Sequence, residues 1–294
     1  MRRAATDLAD RLPIETAPGG PGWNATAASL LEATARKPGN VHPTASFPDL
    51  HYADLVAAAQ AIAPPLDEAG RRPLGQIIEA AVAASRAVGR SNANLGNVLA
   101  IAPLAAAGGH EQAATPATVR RVIADCTAAD AAAIYRAIGI AGAGGLGRRA
   151  RHDLSGPAPA SIRAAMREAA EAVPADSIAA LWAYGYESLW RGVVTDLAQL
   201  EEAGCGWEET MVRAAVAQLA RTPDSLIARR HGLAAAENVS RRAATIESLS
   251  GPAWNDAVAA FDRGLRGPPR LNPGTTADLI AAGLFIHLAQ AGSS

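Results

Sequence analysis

From Trp23 onward, apolar residues recur at intervals of three and four, the spacing that gathers them on one face of an α-helix. The pattern predicts helices over about 22–36, 51–63, 73–90, 94–107, 116–139, 159–172, 174–203, 207–221, 223–248, 252–265 and 275–290. Strand-like alternation is nearly absent, so the expected class is all-α: one globular multi-helix domain over 22–294. Residues 1–21 end in APGGPG, whose breakers predict a poorly ordered lead-in. Pro174 suits a first helical turn, and Thr222, Thr275 and Thr276 can cap. Segments 37–50, 140–158 and 266–274 are long Gly/Pro-rich loops, expected to form the active site on a helical scaffold.

Composition strengthens the helical reading. Of 294 residues, 73 are Ala, the strongest helix former because it has no side-chain entropy to lose. Net charge is −1 and no Lys/Arg tract occurs, which argues against nucleic acid or an anionic membrane and for a small-molecule partner. The basic residues are 26 Arg and one Lys, Lys37, a skew that GC-rich coding explains. Cys126 and Cys205 are isolated, so neither a disulfide framework nor a zinc site is expected. The longest apolar stretch, Val98 to Ala107, is too short to span a bilayer, and the N-terminus lacks an export signal's apolar run; a cytoplasmic protein is expected.

Several familiar patterns fail. Gly142, Gly144 and Gly147 match GxGxxG, but a helix precedes them where a dinucleotide fold needs a strand. A phosphate-binding loop ending in GK[ST] is missing, and the six His show no paired metal spacing.

Four polar blocks interrupt the apolar pattern. In LLEATARKPGNVHP (30–43), Glu32 lies on the last turns of a helix and Pro38-Gly39 break it, projecting Lys37 and His42; an ordinary helix end with a dipole-complementing Lys explains the same letters. In SNANLGNVLAIAPLAAA (91–107), Asn92 and Asn94 precede an apolar helix as caps or as part of an anion site. TPDSLIARRHG (222–232) sets Asp224 before Arg229 and Arg230, suited to a cation and to phosphate, or to a solvated helix face. LNPGTTADLIAAGLFIHL (271–288) opens a helix with Asn272, Gly274, Thr276 and Asp278, where backbone amides and hydroxyls can hold phosphate and the Asp a cation.

In order, EATARKPGNVHP, the Asn-rich helix start, YRAIGIAGAGGLG, PDSLIARRHG and NPGTTADLIAAGLF resemble the triphosphoribosyl-dephospho-CoA synthase family over most of 28–290. The resemblance implies an ATP-dependent transferase of the glycosyltransferase class. Adenine leaves C1 of the ribose, the triphosphate stays attached, and a hydroxyl of dephospho-CoA takes adenine's place. It implies Glu32, Asp224 and Asp278 as carboxylates that hold Mg²⁺ or act as base, with His42 and Asp153 as further candidate bases. Lys37, Arg229 and Arg230 would bind the triphosphate, and Asn94, Asn272 and Thr276 would orient the nucleotide.

The chain departs from the citrate-lyase members of that family, in which an Asp follows the KPG turn and a His and Lys lie in the second Asn-containing block. Here those places read Asn40-Val41-His42 and Asn94-Leu95-Gly96. The variant resembles a subgroup met alongside methanopterin-linked one-carbon metabolism, which makes ribosyl or phosphoribosyl transfer to a pterin-pathway precursor the alternative. A magnesium-dependent ribosyl hydrolase and a non-catalytic helical nucleotide-binding protein are the competing classes. An Ala-rich surface could also support a homodimer.

Overall fold

A computed structural model describes residues 19–89, 94–108, 113–142 and 158–292. The candidates Asn92, Gly144, Gly147 and Asp153 lie outside the described residues. Among those described, every regular element is helical, with isolated bridges such as His42 to Ala45 and Phe47 to Leu50 stiffening the loop after the first helix.

In chain order the helices are α1 (Pro21–Thr34), α2 (Tyr52–Ala61), α3 (Ala63–Asp67), α4 (Leu74–Val88), α5 (Leu95–Gly108), α6 (Pro116–Ala124), α7 (Ala128–Ala141), α8 (Ile162–Glu171), α9 (Ser177–Tyr184), α10 (Glu187–Leu189), a π-turn (Trp190–Val194), α11 (Thr195–Glu202), α12 (Trp207–Arg221), α13 (Ser225–His231), α14 (Leu233–Glu247), α15 (Gly251–Arg266) and α16 (Gly274–Gly292). Three predicted long helices are broken. The 116–139 segment divides because Thr127 caps a new start, 174–203 divides at Gly185, and 223–248 divides at Gly232. Pro174 is not in a first turn, since Asp176 caps α9 through Ala179 N–H at 2.9 Å. Pro21 and Gly22 do open a helix, where the missing proline N–H is harmless and Gly22 N–H finds Asp67 Oδ1 at 2.7 Å.

The apolar α16 lies along α1 and α5, and also touches the π-turn, α12 and α13. Around it one core joins Trp23, Leu31, Ile77, Ile101, Ile134, Trp182, Met211 and Phe285. A second gathers Val216, Ile227, Val239, Trp254, Phe261 and Leu265 from α12 to α15. Pro103 inside α5 has no N–H to give the Leu99 carbonyl, and that buried acceptor is met by the Trp182 indole N–H at 2.9 Å. The start of α5 is thereby fixed against the framework that carries α16. No helix among the described residues is long and apolar enough to cross a membrane.

Candidate active site

The ends of four segments meet where α16 begins. The KPGN turn comes first. Gly39 takes φ +76°, and a Cβ there would stand 2.9 Å from the Leu271 carbonyl oxygen, so the turn can lie flat on the loop before α16 only as glycine. Asn40 Nδ2 donates to Asn272 Oδ1 at 2.9 Å and to the Pro273 carbonyl at 3.2 Å, while Asn40's own carbonyl accepts from Arg266 at 2.7 Å. Asn272 therefore serves as a joint between two loops.

Lys37 turns inward. It is wholly buried, pairs with Glu32 Oε1 at 2.7 Å, and also donates to the Glu32 carbonyl oxygen. The expected phosphate-binding lysine is instead the buried counter-ion of Glu32, with no surface to offer a triphosphate. His42 is buried with Nδ1 3.2 Å from Thr44 Oγ1; burial and then the Arg266 charge lower its basicity, so it stays neutral near pH 7.

Asp224 caps α13 through Ile227 N–H at 3.0 Å with one oxygen; the other accepts Thr276 N–H at 2.7 Å and Thr276 Oγ1–H at 2.8 Å. Ser225 and Thr275 hydroxyls meet beside it at 3.0 Å. The predicted anion site at the start of α16 is thus filled by the protein's own Asp224 carboxyl, and Gly274 is packed against Leu226. Burial raises the Asp224 carboxyl and these hydrogen bonds pull it back. Arg229 is half-buried and paired with Asp176, a residue the sequence reading missed although an Asp before an apolar run is a cap signal. Arg230 is exposed, outside this cluster of contacts.

Asp278 differs from all of these. Half-buried, it makes no side-chain hydrogen bond or ion pair with the described residues. It lies against Gly96 of α5 so closely that a Cβ on Gly96 would fall 1.9 Å from Asp278 Oδ2. Poor solvation, then the negative charges of Glu32 and Asp224, push this carboxyl well above the usual carboxylate range; Arg229 opposes them. Next to Gly96, Asn97 Nδ2 donates to Asn94 Oδ1 at 3.1 Å and approaches Ser29 Oγ at 3.4 Å. Asn97 was also missed, being hidden in an apolar run, although it stands three residues after Asn94 on one helix face.

The predicted Mg²⁺ set of Glu32, Asp224 and Asp278 does not fit a metal held by the protein. Among the described residues no group of three or more His, Cys, Asp or Glu is disposed to hold an ion. Glu32 is neutralised by Lys37, and both Asp224 oxygens are occupied by N–H and O–H donors. Chemically, the arrangement offers a carboxyl with a raised pKa, two amides that each keep one atom without a described partner, and a half-buried guanidinium near the start of α16.

No curated protein matches the chain. A solved structure from Archaeoglobus fulgidus, assigned provisionally as a triphosphoribosyl-dephospho-CoA synthase, shares the fold with a TM-score of 0.62 and 21% identity, covering 80% of this chain and 98% of its own. The family model for ATP:dephospho-CoA triphosphoribosyl transferase matches residues 20–294, a span that includes every polar segment of the site. By that match, the chain belongs to the ATP:dephospho-CoA triphosphoribosyl transferase family.

Proposed function

We propose that this protein moves the 5-triphosphoribosyl group of ATP to a hydroxyl of dephospho-CoA and releases adenine. Family membership over residues 20–294 supports the substrates and does not favour a pterin precursor or a non-catalytic role. In the reaction the C1–N9 bond breaks with its electrons passing to adenine, a C1–O bond forms, and the acceptor hydroxyl loses the proton that adenine gains.

The observation that carries the assignment of roles is Asp278. Its neighbours Glu32, Asp224 and Arg229 are committed to Lys37, Thr276 and Asp176, whereas Asp278 keeps both oxygens free of described partners. A carboxyl with a raised pKa is a proton donor near neutral pH, and donation to the departing base lowers the barrier to leaving. Glu32 and Asp224 act by charge and position. Arg229, half-buried beside Asp176, is the cation left near Asp278 for the triphosphate, and any Mg²⁺ arrives as the phosphates' own counter-ion.

Incubating the full chain with ATP, Mg²⁺ and dephospho-CoA and following products by mass spectrometry tests this. Free adenine with an adduct that retains the triphosphate is expected, and Asp278→Asn abolishes both while keeping its helical circular dichroism. Intact ATP with the unaltered protein, or full turnover by the Asn variant, overturns the assignment.

A further inference from the structure

Asn94 and Asn97 are 4% and 5% exposed, and each keeps one buried polar atom without a partner among the described residues: Nδ2 of Asn94 and Oδ1 of Asn97. The two amides are bonded to each other at 3.1 Å. Exchanging the N and O ends of both side chains keeps that bond and merely swaps the orphans, so one N–H donor and one C=O acceptor remain unpaired in either assignment. Ser29 Oγ, at 3.4 Å from Asn97 Nδ2, does not fill either vacancy. Gly96, between the two, is the residue against which Asp278 rests.

A neighbouring donor and acceptor match a partner that offers an acceptor and a donor side by side. Phosphate oxygens only accept, so they would leave the amide carbonyl unmet. The N7 edge of a 6-aminopurine supplies both, an exocyclic N–H beside the N7 lone pair, whereas on that same edge a 6-oxopurine presents two lone pairs, O6 and N7, and leaves the amide carbonyl unmet. We propose that the Asn94–Asn97 amide pair reads the base of the donor nucleotide and selects adenine over a 6-oxopurine. The inference rests on the transferase reading above, since it places the leaving base beside the carboxyl that protonates it.

The test compares ATP with ITP, which differs only by the 6-oxo group. Nucleotide binding is measured by calorimetry without acceptor, and base release by mass spectrometry with dephospho-CoA, using the full chain. The unaltered protein is expected to prefer ATP by about 10–100-fold. Asn97→Leu, of the same branched shape, brings the ratio within about threefold of unity, as does Asn97→Ala, which serves if the Leu variant does not fold. Ser240→Ala removes the third buried polar atom without a described partner, a hydroxyl on α14 beside the second core, and leaves the ratio unchanged. Equal binding of ATP and ITP by the unaltered protein overturns the proposal, as does a ratio that survives in folded Asn97 variants, which is the outcome if a buried water bridges the orphans. A binding preference lost in the variants but without base release from ATP refutes the transferase reading alone. Adenine release without discrimination refutes the amide reading alone.

Discussion

Replacing Gly96 by Ala tests the site without touching any group that does chemistry. The new Cβ would stand 1.9 Å from Asp278 Oδ2 and 2.5 Å from its Cγ, whereas ordinary contact begins at 3.4 Å, so the carboxyl must retreat by about 3.4 − 1.9 = 1.5 Å. Asp278 is short and half-buried, which lets it swing aside while α5 and α16 stay in place. The helix gains up to about 1 kcal/mol from Gly to Ala, and overlap costs about 1–3 kcal/mol. The net loss of at most about 3 kcal/mol is modest against the roughly 5–15 kcal/mol of an ordinary domain. Misplacing a reacting group by about 1 Å lowers rate by about 10²-fold. Adenine release measured at saturating ATP should therefore fall by about that factor, with a cooperative thermal melt retained. A G96A protein with wild-type turnover would refute the claim that Asp278 works from its place against α5.

Three further outcomes follow from the same contacts. Lys37→Met leaves Glu32 buried without its counter-ion and should lower urea-unfolding stability by about 3–5 kcal/mol, with most of it restored by adding Glu32→Gln; a stable single variant refutes the pairing. Because folding raises the Asp278 pKa, the native state is penalised increasingly as pH climbs above the unfolded carboxylate value until it passes the raised one; melts should show Asp278→Asn more stable than wild type at about pH 8, with the difference vanishing toward about pH 4, and wild-type turnover should decline as pH rises through the raised pKa. Asn40→Asp replaces a donor by an acceptor opposite Asn272 Oδ1 and the Pro273 carbonyl, and should cost about 1–3 kcal/mol in denaturant titration.

The helical class was legible because three-and-four spacing in an Ala-rich chain has few other solutions. Helix ends were less so: Thr127 and Gly232 lie inside runs whose apolar period continues past them, and only the capping bonds and chain reversal show the break. The polar blocks stood out for their Pro and Gly, which locate loops, but their bonding partners are a tertiary property. Lys37 reads as a free cation in sequence because nothing local says that the KPG turn folds its amine back onto Glu32. Asp224 carried its cap signal three residues before Ile227, yet its second oxygen is claimed by Thr276, 52 residues away in sequence. Asp278 stood among the sequence candidates, whereas its place against the bare backbone of Gly96 on another helix becomes visible only in three dimensions.

Those partnerships explain why the site survives as an unstable feature of a stable fold. Asn40 joins Asn272, Asp224 joins Thr276, and Ser225 joins Thr275, so the blocks that look like ligand-binding motifs largely bind one another and set the geometry. Each such bond contributes about 1 kcal/mol, and those to a carboxylate more. The orphan atoms of Asn94 and Asn97 oppose folding, since an unmet buried polar atom costs about 1–3 kcal/mol, and Asp278 opposes it wherever its raised carboxyl must ionise. Leu in place of Asn97, or Asn in place of Asp278, would relieve that opposition. The Asn94–Asn97 bond uses one donor and one acceptor of the two amides and leaves the other two, like the Asp278 oxygens across from Gly96, without a described partner. The contrast between paired and unpaired residues therefore separates the scaffold from the chemistry more sharply than motif membership does.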